Sequence, residues 1–169
     1  MGREIRRVPA NWQHPKKNNH HIPLKDHYNR DVMEWDEGAA KWTDGLRSDW
    51  NGGWKPVDEE DKALGYAEYS GERPQMQDYM PDWPETERTH LMMYENISEG
   101  TPLSPAFDTP EELARWLTDN NASALGSMTA TYDQWLATCK QGWALSAVMF
   151  VHSDGTNSMT SGVAAAAED

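Results

Sequence analysis

The chain contains a single cysteine, Cys139, among its 169 residues. One thiol excludes an intramolecular disulfide and any metal cluster held by several thiolates. No apolar run is long enough for a transmembrane helix, and no early apolar stretch resembles a signal peptide. We therefore expect a soluble intracellular protein that does not act at a membrane. We expect the side chain of Cys139 to be packed in the core.

Hydrophobic residues are scarce, at 37% of the chain, but nine tryptophans are present. A large aromatic side chain buries about 150–250 Å². At about 25 cal/mol per Å², a few buried indoles supply much of what a small core needs. We expect most of these tryptophans in the core. Trp50 and Trp54, which flank Asn51-Gly52-Gly53, are the best candidates for exposure.

The short signatures of catalysis are missing as well. The chain has no G-x-S-x-G, H-E-x-x-H, C-x-x-C, Walker or EF-hand pattern. Nothing in the sequence therefore favours an enzyme or calls for a cofactor. An active site whose residues meet only in three dimensions stays open.

Four histidines are the only weak candidates for metal ligands, and they lie in the first thirty residues: His14, His20, His21 and His27. Imidazole nitrogens bind transition metals, but no cysteine or regularly spaced carboxylate completes a recognisable site. The sequence therefore predicts a solvated or salt-bridged segment here and no metal centre.

The charge is divided sharply along the chain. Residues 1–30 hold seven Lys/Arg against two acids, a net of +5, and the other 139 residues hold eight against 26, a net of −18, which together make −13. An acidic body repels phosphates, which argues against its binding nucleic acid directly and allows it to imitate nucleic acid. The basic segment can dock on this body or on a separate anionic partner.

Three helices are predicted by periodicity and capping signals. Apolar residues recur at spacings of three and four after Asp31, which can cap the helix start: Val32, Trp35, Ala39, Trp42 and Leu46. Thr109-Pro110-Glu111-Glu112 is typical of a helix N-terminus. Thr131 to Gln134 forms a capping box, and Gly142 provides a stop for that third helix.

Strands are predicted at three places. The apolar run within residues 89–97 favours a buried strand. Residues 147–151 and 159–163 flank Asp154-Gly155 and predict a β-hairpin. Ser98–Asp108, with Gly100, Pro102 and Pro105, is predicted to be a loop.

These elements predict an α+β fold: a small antiparallel sheet, about three helices and an extended basic N-terminal arm. The arm is expected over residues 1–30, a single α+β domain over 31–163, and a flexible tail over 164–169.

Three stretches resemble a family of small uncharacterised proteins of tailed bacteriophages and prophages. They are REIRRVPANWQHP (Arg3–Pro15), the part from YMPDWPETERTH to MYENISEGTPLSPAFDTPEELARWL (Tyr79–Leu117), and ATYDQWLATCKQGWALSAV (Ala130–Val148). The resemblance covers most of the chain. It implies an accessory phage protein of the anti-defence or host-takeover kind and carries over no catalytic residue.

The functional hypothesis is a phage accessory protein that binds a host or phage protein in the host-cell cytoplasm. Acidic surface and exposed aromatics would make the contacts, since aromatic anchors carry much of the binding energy. The predicted partner-binding residues are Trp50, Trp54, Glu99, Thr101, Leu103 and Phe107. A virion head, neck or tail component and an acidic nucleic-acid mimic remain the alternatives.

Overall fold

The computed structural model describes residues 2–96 and 100–166. Its strands are β1 (Gly2–Val8), β2 (Lys16–Lys17), β3 (His20–His21), β4 (Leu46–Ser48), β5 (Trp54–Pro56), β6 (His90–Glu95), β7 (Thr101–Pro102), β8 (Trp143–Leu145), β9 (Ala147–Val151) and β10 (Asn157–Ser161). Its helices are α1 (Tyr28–Thr43), α2 (Tyr66–Ser70), α3 (Pro110–Asp119), α4 (Tyr132–Gln141) and α5 (Gly162–Ala165). Short 3₁₀ turns lie at Lys25–His27 and Met76–Asp78.

The chain divides into two compact units. The first contains Met1–Ile22 and Asp82–Asp169, and the second contains Pro23–Pro81. The boundaries between these units differ from residue 30, where the charge of the sequence changes sign. The domain boundaries predicted at residues 30 and 163 stay predictions. Residues 167–169 of the predicted tail lie outside the described residues.

The first unit is built on a four-stranded antiparallel sheet in the order β7-β6-β1-β8. Strand β1 lies inside this sheet, with Ile5 opposite Met93 of β6 and Arg3 opposite Ala144 of β8. A side chain at Gly2 would lie 2.4 Å from the backbone of Leu145, so this close pairing requires glycine. The first residues of the basic segment are thus an inner strand.

Helices α3 and α4 pack together over this sheet and enclose the core of the first unit. Trp135 of α4 is completely buried, beside the buried thiol of Cys139. Burial raises the pKa of Cys139 to about 12, which makes this thiol inert at neutral pH. The core consists of Leu91, Met93, Leu113, Ala114, Leu117, Ala124, Trp135, Cys139, Ala144 and Val163.

The second unit is organised around α1. Its tryptophans pack on the tyrosines that follow, with ring centroids of Trp35 and Tyr66 5.2 Å apart and those of Trp42 and Tyr69 4.3 Å apart. Gly38 is buried because the Tyr66 hydroxyl occupies the space that a side chain would need. This glycine therefore belongs to the packing of α1.

Two expectations for α1 are wrong. The chain is already helical at His27, so α1 continues the preceding turn without a side-chain cap, and Asp31 instead accepts a hydrogen bond from the Tyr79 hydroxyl at 2.8 Å. Leu46 lies in β4, because Gly45, with φ of +76°, turns the chain out of the helix.

The other two long helices begin where the sequence predicts. Thr109 accepts from the N–H of Glu112, Thr131 and Gln134 form the capping box, and Gly142 ends α4 in the left-handed conformation. The hairpin is confirmed as β9 and β10, although it forms its own two-stranded sheet and residues 162–165 form α5. The mixture of helices and small antiparallel sheets confirms the α+β class.

Two further findings concern apolar surface. The expectation that most tryptophans lie in the core is wrong, because of the nine only Trp135 is buried. Trp143 is half exposed because β8 is the edge strand of the sheet. In the part of the chain that the structure describes, no helix is long and apolar enough to cross a membrane.

Candidate functional site

A concave surface lies along one face of α3. Leu113 and Leu117, on the opposite face, are buried in the core. Residues spaced by four along the helix share a face, so Glu111, Arg115 and Asp119 form one exposed row beside Glu112 and Trp116. The capped N-terminus and the buried face therefore position a polar helix surface towards the solvent.

This surface forms one wall of a cavity of about 700 Å³, which we call the α3 groove. Such a volume is within the range of ligand- and peptide-binding clefts. The groove is lined by Ala10, His90, Ala106, Phe107, Asp108, Glu111, Glu112, Arg115, Trp116, Asp119, Asn120 and Tyr132.

Aromatic rings supply the apolar part of the α3 groove. The rings of Phe107 and Trp116 lie 6.1 Å apart in a tilted arrangement. The Arg115 guanidinium carbon lies 4.2 Å from the centroid of the Tyr132 ring, a cation–π contact that holds both side chains in place. Ordered aromatic surface of this kind anchors the side chains of a binding partner.

Carboxylates dominate the charge of the α3 groove. Asp108, Glu111, Glu112 and Asp119 stand against the single guanidinium of Arg115. The backbone N–H of Glu111 and the Lys140 ammonium, 3.2 Å away, hold the pKa of the Glu111 carboxyl below its ordinary value. The groove is therefore negative at neutral pH and favours a cationic ligand with apolar side chains.

The chemical groups of the α3 groove are carboxylates, one imidazole and one phenol. Its lining contains His90 and Tyr132 beside the four carboxylates and includes no serine, threonine or cysteine. In the residues that the structure describes, no group of three or more His, Cys, Asp or Glu side chains could hold a metal ion. The aromatic rings and carboxylates can together bind a cationic ligand.

The segment predicted to be a loop, Ser98–Asp108, has irregular backbone over most of its described residues, with a two-residue edge strand and one isolated bridge. Thr101 and Pro102 form β7 beside β6, Leu103 donates its N–H to the Met93 carbonyl at 2.8 Å, and Phe107 exchanges two backbone hydrogen bonds with Leu91. The loop prediction is therefore confirmed for most of the described residues, and it misses only the short strand. Pro102 is compatible with that strand because proline needs no N–H partner at an edge.

This pairing positions three of the predicted contact residues. Phe107 lines the α3 groove, Leu103 lines a second cavity of about 420 Å³ beside Trp12 and His14, and Thr101 lies in β7. The fourth, Glu99, lies outside the described residues. All four assignments stay predictions.

The other two predicted contacts belong to the second unit, where Trp50 lies in the turn between β4 and β5 and Trp54 is the first residue of β5. Trp50 is 82% exposed and has a φ of +66°, and Trp54 is partly exposed with the Lys41 ammonium 5.7 Å from its ring. Asp49 holds the turn by accepting the N–H groups of Asn51 and Gly53, both at 2.8 Å. An exposed indole in this disfavoured conformation is a candidate contact in its own right.

The histidines of the basic segment have structural partners. The Tyr94 hydroxyl lies 2.9 Å from Nδ1 of His14, and Nε2 of His14 lies 2.7 Å from the Ile22 carbonyl oxygen. A carbonyl only accepts, so Nε2 carries the proton and Nδ1 of the neutral ring accepts from Tyr94. The ring of His21 is 5.7 Å from that of His14, while His20 lies in β3 and His27 precedes α1.

Sequence reasoning missed most of the α3 groove. The sequence pattern places Glu111 and Glu112 only at a helix N-terminus and Asp108 in a loop. It indicates no role for Arg115 or Asp119, and Trp116 is covered only by the expectation that most tryptophans lie in the core. The signal that was available is the run of carboxylates at spacings of three and four beside an aromatic. Tyr132 comes from another helix, and no local pattern places it here.

Comparison with family models, with curated proteins and with solved structures finds no match for this chain.

Proposed function

We propose that this chain is a bacteriophage accessory protein that acts by binding another protein, of the host or of the phage, without chemistry of its own. Its α3 groove receives a basic segment of that partner. The observation that carries the proposal is that packed aromatic rings and four carboxylates line the same cleft.

The aromatic rings and the carboxylates of the α3 groove contribute to binding in different ways. Burial of an arginine or lysine stem against Phe107 and Trp116 provides contact energy, because aromatic anchors dominate interfaces. The carboxylates of Glu112 and Asp119 steer a cationic partner and raise its association rate. Association is therefore expected to weaken as salt concentration rises, since exposed charges are screened over about 10 Å at 0.1 M ionic strength.

The proposed phage origin is supported by the resemblance of Arg3–Pro15, Tyr79–Leu117 and Ala130–Val148 to tailed-phage proteins. The middle stretch contains most of the α3 groove. An accessory protein acts inside the infected cell, so the expected location is the host cytoplasm.

The test is a pull-down from phage-infected cells with two matched double variants. Glu112→Lys with Asp119→Lys alters the groove, and Glu85→Lys with Glu87→Lys alters exposed acids outside its lining. Each pair replaces two negative charges with two positive ones and moves the net charge from −13 to −9. We expect one stoichiometric partner with the wild type and with the Glu85/Glu87 variant, and its loss with the groove variant.

A third variant, Trp116→Ala, tests the aromatic component separately. It is expected to accelerate dissociation of the captured partner, whereas added salt is expected to slow its association. Equal capture by both double variants would refute the groove as the binding site. Recovery of this chain in purified particles, bound only to structural proteins, would favour a virion component instead.

A further inference from the structure

The hairpin formed by β9 and β10 presents an apolar face that nothing in the described chain covers. Met149 is paired directly with Met159, and Val151 with Asn157. Because alternate residues of a strand share a face, Met149, Val151 and Met159 lie together. Their exposed fractions are 65%, 76% and 53%.

The same region exposes further apolar side chains. Phe150 is exposed on the other face of the hairpin, and Trp143 and Leu145 are exposed on the neighbouring strand β8. In the described part of the chain, β9 and β10 pair only with each other. A two-stranded hairpin is marginally stable in water on its own, and clustered exposed apolar side chains mark interaction sites.

The distribution of charge bears on which surface can cover this face. Strands β8, β9 and β10 contain no Lys, Arg, His, Asp or Glu, whereas the chain as a whole carries a net charge of −13. Residues 31–169 carry a net charge of −18, so two copies repel each other wherever they meet through the surface that these residues form. A patch without charge is where they can approach without placing carboxylates against carboxylates.

We propose that this chain forms a symmetric dimer through the apolar face of the β9–β10 hairpin, with β8 at the margin. A two-fold interface requires only one self-complementary patch, and the Met149–Met159 pair provides it with flexible side chains that adapt to each other. A stable interface buries about 800 Å² per partner. The hairpin face supplies part of that area, so Trp143 and Leu145 contribute to the interface.

Dimerisation and binding in the α3 groove respond to salt in opposite directions. Salt screens the repulsion between two acidic copies, so dimerisation strengthens as ionic strength rises. Binding of a basic partner in the groove weakens under the same change. The two proposals are therefore independent, and a failure of one is distinguishable from a failure of the other.

The test is the molar mass of the full chain, measured by sedimentation equilibrium from low to high micromolar concentration. The variants are Met149→Lys on the hairpin and Met33→Lys on α1, where the methionine is 72% exposed. Both substitutions add one positive charge at an exposed methionine. We expect twice the chain mass of 19.2 kDa for the wild type and Met33→Lys, and 19.2 kDa for Met149→Lys.

Circular dichroism establishes that each variant is folded. If Met149→Lys does not fold, Val151→Lys, at the most exposed position of the strand, replaces it and is expected to be monomeric. A wild type that stays at 19.2 kDa at every concentration and salt level would overturn the proposal. So would a dimer that survives the lysine substitution, because the contact would then lie elsewhere.

Discussion

Replacing Tyr94 with phenylalanine tests the network that attaches the N-terminal segment to the sheet of the first unit. Tyr94 is completely buried, and its hydroxyl oxygen lies 2.9 Å from Nδ1 of His14 and 3.3 Å from Nε1 of Trp12. Burial raises the pKa of Tyr94 to about 12, so the hydroxyl keeps its proton at neutral pH. Its one proton goes to the unprotonated Nδ1 of His14, a better acceptor than the Met92 sulfur 3.2 Å away, while its oxygen accepts from the Trp12 indole N–H.

The expected loss of stability follows from the hydrogen bonds with His14 and Trp12. The substitution Tyr94→Phe preserves the packed ring and removes both bonds, each worth about 1 kcal/mol. We expect the free energy of unfolding to fall by about 2 kcal/mol. For a chain of this length that corresponds to a decrease in melting temperature of about 4–8 °C.

The assay is urea unfolding followed by circular dichroism, with Tyr132→Phe as the matched control. The Tyr132 hydroxyl makes no hydrogen bond with the residues that the structure describes, so its removal is expected to change stability by less than about 0.5 kcal/mol. If Tyr94→Phe proves as stable as this control, the hydroxyl network does not hold the segment in place, and the reasoning fails.

Three further predictions concern stability at single positions and one concerns pH. Thr138→Val is expected to stabilise the protein by about 1 kcal/mol in thermal unfolding, because the completely buried Thr138 hydroxyl has no hydrogen-bond partner among the described residues. Thr109→Ala removes the cap that the Glu112 N–H contacts at 3.2 Å and should lower stability by about 1 kcal/mol, with Thr109→Ser close to wild type. Trp50→Asn relieves the left-handed conformation of an exposed residue and should raise stability by up to about 1 kcal/mol; a loss of stability would show that the indole packs in the folded state. Burial lowers the pKa of His14, so the folded protein binds a proton at this ring less readily than the unfolded chain does. The free energy of unfolding is therefore highest above about pH 6.5 and decreases as the pH falls below that value. The substitution His14→Gln should flatten curves of stability against pH over this range.

Elements marked by local signals were predictable from sequence. Thr109 and Thr131 begin α3 and α4 because their side chains accept N–H groups three residues ahead, which any isolated segment can do. Residues 147–151 pair with residues 157–161 because the Asp154-Gly155 turn brings these neighbouring segments together, which is also a local effect. The prediction that Asp31 caps α1 failed because the helix continues a preceding 3₁₀ turn and needs no side-chain cap. Asp31 instead accepts a hydrogen bond from the Tyr79 hydroxyl.

The α3 groove was predictable only in part. The acidic face of α3 is visible as a spacing of three and four residues, and Phe107 was selected from its place in a proline-rich segment. The cleft itself depends on Tyr132 and His90, which reach α3 from α4 and β6. Contacts of this kind depend on packing between distant segments, and packing leaves no periodic trace in the sequence.

The sequence by itself determined the α+β class, the capped helices and the strong negative charge, because capping, periodicity and net charge are local or additive properties. Tertiary structure alone decided that Gly2–Val8 is an inner strand and that the Met149 face is uncovered. It also decided that Trp135, alone among the tryptophans, is completely buried. Long-range pairing and burial depend on which surfaces meet, and that choice is made by the whole folded chain.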